Sequence, residues 1–430
     1  DHPDHPGSPR SPWITPITLD HPDHSNVPFL TLQNRQFTRD GQPFRPLGMN
    51  LWYGQDLGAT EAGRARLRRE LDRLQALGLN HLRVMAGSEG PDDQPWRVRP
   101  SVQPAPGVFR EAQLRGLDHL LVEMGQRNLY AVLCLGNFWP WTGGFAQYRS
   151  WTSGRPIPYP PPAEGGDWWR YMQFAAGFFT DRAALALYEA QVLRLLTRVN
   201  AVSGLAYAED PTIMAWQLAN EPRGLHHLRA YRRWVRETAA LIRQHAPHQL
   251  ISLGSEGRTP HRLSGTAWMD VHREADLDYA TCHLWLQNWG WYDPARPEAT
   301  YARGWRRAQQ YLAWHAQRAA QLGLPLLLEE VGLARDGHSH DPAAPTTWRD
   351  RYFGDLLGHL AEAQARGSAW QGIAFWAWGG EGRPYAPGCL WQSGHDLIGD
   401  PPHEYQGWYS VFAGDAATLG VLGGGVEEEA

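Results

Sequence analysis

Residues 213–224 read IMAWQLANEPRG, an apolar run that ends on Asn220, Glu221, Pro222 and Arg223. Positions 213–218 have the length and the unbroken apolar character of a strand covered on both faces. A chain has little structural reason to carry a carboxyl group to the tip of such a strand and then stop at a proline. A reaction that needs an acid held rigidly does. Outward from this stretch the same unit repeats. Strands are expected at 45–50, 80–85, 130–135, 213–218, 249–254, 279–283, 325–330 and 372–378. Helix-period segments lie between them, at 61–77, 111–127, 182–200, 229–245, 266–276 (the weakest), 303–322 and 347–366. Eight strands alternating with helical segments argue for an α/β fold of the (β/α)8 TIM-barrel type. The rival is an open doubly wound sheet, but no G-x-G-x-x-G follows the first strand.

One domain is expected over 29–412, opening with a hairpin that turns at Asp40-Gly41. Residues 1–28 form a Pro/His/Asp-rich lead-in in which DHPDH occurs at 1–5 and again at 20–24; it reads as a flexible, proline-stiffened segment rather than a metal site. Residues 413–430 form a tail. Two long loops, 136–181 after the third strand and 379–412 after the eighth, break the regular spacing. Both leave the C-terminal ends of strands, the face on which barrels build their sites.

Composition excludes several kinds of chemistry. All 40 basic residues are arginine, so phosphate loops, Schiff-base enzymes and Ser-Lys hydrolases are ruled out. The net charge of −5 gives no electrostatic case for nucleic acid or an anionic membrane, and no apolar run is long enough to span a bilayer. Cys134, Cys282 and Cys389 form no disulfide framework and no C-x-x-C motif. The His-x-His of DGHSHD, 336–341, lacks further ligands at workable spacing, so no metal and no cofactor is expected. Neither H-E-x-x-H nor G-x-S-x-G occurs. The 22 tryptophans exceed what a core requires and suit flat ligand faces.

A second strand-end carboxylate, Glu330, closes LPLLLEEVG. It lies three β/α units beyond Glu221, so the two face each other across a barrel mouth. Two carboxyl groups about 5–5.5 Å apart are what retaining glycoside hydrolysis requires, one as acid/base and one as nucleophile. Strand alternation puts Glu329 on the opposite side, where it would pair with an arginine of the helix layer.

WQLANEP resembles the Asn-Glu-Pro signature of glycoside hydrolase family 5, and LLLEEVG its nucleophile strand. GMNLWYG (48–54), LGLNHLRV (77–84), GNFWPWTGGFAQYRSW (136–151), TCHLWLQNWGWY (281–292) and GIAFWAWGGEGR (372–383) resemble the family's β-mannanase and β-mannosidase branch, in order, over 30–412. The resemblance implies that Glu221 is the acid/base and Glu330 the nucleophile. It implies further that Asn220 bonds the sugar 2-hydroxyl, that Arg83 holds Glu330 ionised and that His283 sits beside the acid/base. Trp376 would floor the site with Trp378 flanking it. Asn137, Trp139, Trp285, Trp289 and Trp391 are candidates for sugar subsites. Many members carry tyrosine two residues after the strand-six histidine, where its hydroxyl meets the nucleophile. Trp285 stands there instead, and an indole N–H donates but cannot accept.

The expected activity is that of a retaining β-mannan hydrolase, cofactor-free, acting as a monomer on β-mannan or manno-oligosaccharides. A β-1,4-glucanase and a non-catalytic carbohydrate-binding barrel are the alternatives. The long loops are expected to narrow the cleft and favour chain ends or short oligomers. No signal sequence opens the chain; an exported protein, secreted or periplasmic, would have had its leader removed.

Overall fold

The computed structural model describes residues 27–424. The duplicated DHPDH falls outside them. Eight parallel strands form one sheet: β1 (Leu47–Asn50), β2 (His81–Met85), β3 (Tyr130–Cys134), β4 (Ile213–Gln217), β5 (Leu250–Ser252), β6 (Ala280–Leu284), β7 (Leu326–Val331) and β8 (Trp370–Phe375). Their spatial order is β5-β4-β3-β2-β1-β8-β7-β6. The two ends of that order, β5 and β6, are consecutive in the chain. Asp278 N donates to Ile251 O at 2.8 Å and His283 N to Glu256 O at 2.9 Å, which draws the sheet into a barrel.

The strands are buried on both faces, as their unalternating apolar sequences require. The covering layer is α1 (Glu61–Ala76), α2 (Glu111–Gly125), α3 (Arg182–Leu196), α4 (Leu228–His245), α5 (Trp268–Glu274), α6 (Pro297–Leu322), α7 (Thr347–Ala365) and α8 (Ala416–Gly423). The last belongs to the expected tail. It is anchored by Asp415, which accepts from Arg335 Nη2 at 2.7 Å and from Arg349 Nη2 at 2.9 Å.

Before the barrel, Thr31–Gln33, Gln36–Arg39 and Gln42–Pro43 make a three-stranded antiparallel ribbon. It turns at Asp40-Gly41, as expected, and also at Asn34-Arg35, all four residues having positive φ. Phe37 and Phe44 from this ribbon pack on Tyr279 and Tyr130, closing the N-terminal end of the barrel. The open end is therefore the C-terminal one. There the loop after β3 is not irregular but carries the helices Gly144–Ser153 and Trp168–Ala176.

Candidate active site

β4 ends at Gln217, and the next residues are held by neighbouring backbone. Asn220 N donates to Gly136 O at 2.8 Å and Glu221 N to Gly254 O at 2.9 Å. Glu221 itself takes φ +48. That left-handed conformation costs a non-glycine residue roughly 1–2 kcal/mol, and it aims the side chain across the mouth.

On the far side, β7 departs from simple alternation. Leu328 pairs with Cys282 but Glu330 pairs with His283, so Glu329 is the extra residue of a bulge. Glu329 therefore turns inward, which corrects the expectation that it faces the helix layer. Its carboxylate accepts from Gln217 Nε2 at 2.7 Å and meets His283 Nε2 at 2.8 Å and Arg83 Nη2 at 3.6 Å.

Arg83 binds the cluster together from β2. Its Nη1 donates to Glu330 Oε1 at 2.6 Å, its Nη2 to Asn220 Oδ1 at 2.8 Å and its Nε to Gln217 Oε1 at 2.7 Å. The Asn50 amide oxygen accepts a further bond from Nη1 at 3.2 Å. His283 lies between the two carboxyl groups, Nδ1 being 2.7 Å from Glu221 Oε2 and 3.3 Å from Glu330 Oε2. Trp139 Nε1 donates to the other Glu221 oxygen at 2.8 Å. Oxygens of Glu221 and Glu330 thus come within 4.8 Å of each other, near the spacing for retention and well short of the roughly 6.5–9.5 Å of inverting pairs. Glu221, His283 and Glu330 could together hold a cation, but the Arg83 guanidinium already supplies positive charge at Glu330.

Burial would lower His283, yet the Glu330 charge and bonds to Glu221 and Glu329 raise it to about 10. Burial would raise Glu221, but the hydrogen bond and charge of His283 bring it down to about 2. Glu330 is pushed up to about 7, mainly by burial, with Glu221 adding to the push and His283 and Arg83 opposing it. The pair therefore keeps one dissociable proton near neutrality.

The cleft, about 820 Å³, is lined by Asn220, Glu221 and Glu330 and by Trp139, Trp285, Trp289 and Trp376. These are expected site residues brought together. Trp376 stands edge-on between Trp141 at 6.0 Å and Trp285 at 6.2 Å. Trp285 packs on Tyr409, whose hydroxyl bonds Asn288, so the nucleophile position is held by Arg83 and His283 and not by a hydroxyl. Arg83 and His283 stand behind the carboxyl pair, and three further expected residues do not line the cleft. Asn137 is buried behind Asn220, whose Nδ2 donates to its Oδ1 at 3.2 Å. Trp378 lies beyond the end of β8 at Phe375, in a separate short strand, and donates from Nε1 to Glu70 at 2.7 Å. Trp391 packs under Arg99 instead, 5.7 Å from its guanidinium carbon.

Sequence reasoning missed Arg223 and Glu256. They form a buried two-pronged ion pair, Nε–Oε1 2.6 Å and Nη2–Oε2 3.1 Å, with Arg223 lying 5.0 Å over Trp139. Both lie in the short connections that leave strand ends, and that position was the available signal. His403 and Glu404, also missed, enter the cleft from the loop after β8. His403 Nδ1 and Glu404 Oε2 are buried without a partner.

A carboxyl pair at this spacing, aromatic-walled and set at the C-terminal mouth of a (β/α)8 barrel, defines the class of retaining glycoside hydrolases. The chain belongs to the GH family 5 beta-mannosidase-like family, whose sequence profile matches residues 27–423. A family 5 mannosidase from Rhizomucor miehei is 37% identical and superposes with a TM-score of 0.84, covering 93% of this chain and 97% of that one. A mutant form of that mannosidase, 36% identical with a TM-score of 0.83 over 93% of this chain and 97% of its own, is in complex with mannosyl-fructose. Mannan endo-1,4-beta-mannosidase 3 of Oryza sativa subsp. japonica is 32% identical over 353 residues, 76% of this chain and 68% of the rice protein.

Proposed function

We propose that the protein hydrolyses β-mannosidic bonds with retention, with Glu221 as acid/base and Glu330 as nucleophile, and that it works on manno-oligosaccharides and chain ends. The observation that carries this is a pair of carboxyl groups in one cleft, an oxygen of each within 4.8 Å of the other, sharing His283, with Glu330 also bound by Arg83. The surroundings favour the proton on Glu330, whereas the first step needs it on Glu221. Nδ1 of His283 touches both, so the proton passes from Glu330 through His283 to Glu221 with no change in total charge. Arg83 stabilises the Glu330 carboxylate that results, and positive charge developing at the anomeric carbon adds to this. Glu330 then attacks that carbon while Glu221 protonates the departing oxygen. In the second step Glu221 takes a proton from water, whose oxygen attacks the same carbon and releases Glu330.

Support for attack at chain ends comes from the two loops. The β3 loop contributes Trp139, Trp168 and Trp169 and the β8 loop His403 and Glu404, so both walls of the cleft are built up. The unpartnered Glu404 and His403 atoms suit the hydroxyls of a terminal sugar. Action on mannan chain ends would be favoured by a location outside the cytoplasm, secreted or periplasmic, which cell fractionation checks. Product time courses from mannohexaose and cellohexaose, run beside Glu221→Gln and Glu330→Gln, test the reading. Mannose and mannopentaose as first products, lost in both variants, are expected. Faster cleavage of cellohexaose, or early dimers and trimers, would contradict it.

A further inference from the structure

Away from the carboxyl pair, a second hollow of about 370 Å³ lies between α6 and the loops after β5 and β6. Its walls include Arg258, Trp291, Arg307 and Trp314. The guanidinium carbons of Arg258 and Arg318 stand 5.1 Å from the Trp314 ring, and that of Arg307 stands 5.4 Å from Trp291. None of these three arginines forms an ion pair or donates a side-chain hydrogen bond among the described residues. By contrast, Arg83, Arg198, Arg223 and Arg349 spend their guanidinium groups on carboxylates. α6 carries four arginines and one glutamate in a chain whose net charge is −5. Indole packing holds the guanidinium planes while leaving their N–H groups unspent, which prepares a site for carboxylates.

We propose that this groove binds an acidic polysaccharide, a pyranose chain bearing carboxylate groups, beside the hydrolytic cleft. Charge complementarity identifies the anion. Continuity with the cleft identifies the sugar: Trp291 packs at 5.1 Å on Trp289, which lines the cleft, and Glu256 on the cleft wall is two residues from Arg258. That choice of a sugar chain rests on the proposed mannoside chemistry, whereas binding in the groove needs no hydrolysis. The groove would hold the enzyme on matrices where neutral mannan and uronate-bearing chains lie together.

Titration calorimetry of the full chain with pentagalacturonate and with mannopentaose, at low and high salt, tests this. Binding of the uronate that weakens with salt is expected, and it should fall about tenfold or more in Arg258→Gln/Arg307→Gln. Trp314→Ala should weaken it also, by releasing two guanidinium groups from their support. Hydrolysis of a small β-mannoside should be unchanged in these variants, which also reports that they fold. Absence of uronate binding, or full affinity in the double variant, would overturn the proposal. Equal binding of a short DNA duplex or of phosphatidylserine vesicles would overturn it too. Uronate binding without any mannoside hydrolysis would leave the groove standing and remove the proposed reaction instead.

Discussion

Glu330 carries the sharpest consequences at the scale of single residues. Because the carboxyl pair holds one proton up to about pH 7, kcat/KM should fall on the alkaline side as pH rises through that value. The acid limb, where the second carboxylate is protonated, should lie far lower, toward the value near 2 of Glu221. A pH–rate profile with its upper limb near 10 would contradict this. Arg83 lowers Glu330, so Arg83→Met should move the alkaline limb upward. The same change removes the buried guanidinium shared by Glu329 and Glu330, leaving His283 alone to offset them, and should cost about 3–5 kcal/mol of stability by denaturant unfolding. Glu221 and Glu330 were legible in the sequence because both close apolar strands. The inward turn of Glu329 was not, because a bulge is a property of the pairing between β6 and β7 and leaves no mark in either strand alone. Trp378 misled for a related reason: alternation was carried past Phe375, where β8 has already ended.

Turns and strands follow from the same chemistry at the scale of elements. All eight barrel strands were readable within a few residues, since a strand covered on both sides must be apolar throughout. The second ribbon turn was hidden, because Asn34-Arg35 lacks the glycine that marks Asp40-Gly41. Gly41 has φ +76 and open space around it, so Gly41→Ala adds backbone strain and no clash. It should lower stability by about 1–2 kcal/mol in urea unfolding while mannoside hydrolysis stays unchanged. The helices of the β3 loop escaped a reading that treated 136–181 as one connection. Asp167 caps the second by accepting from Arg170 N at 2.9 Å, and its indoles Trp168 and Trp169 remain 43% and 40% exposed at the cleft rim. Exposed rings in that position suit sugar units beyond the one at the carboxyl pair. Trp168→Ala should raise KM for oligosaccharides more than for a small aryl mannoside.

The whole molecule is a barrel closed at one end by the ribbon and walled at the other by two loops. The β8 loop is fixed from behind by Asp415, buried between Arg335 and Arg349. Asp415→Ala strands two buried cations and should cost about 3–5 kcal/mol. If the loop walls the cleft as proposed, this variant should also lose preference for chain ends. Direct labelling of the nucleophile tests the central claim. A 2-deoxy-2-fluoro-β-mannosyl fluoride should leave a fluoromannosyl ester that peptide mass spectrometry locates on Glu330. An ester on Glu221 or Glu329, or turnover of β-mannosides with no trapped ester at all, would contradict the assignment of roles.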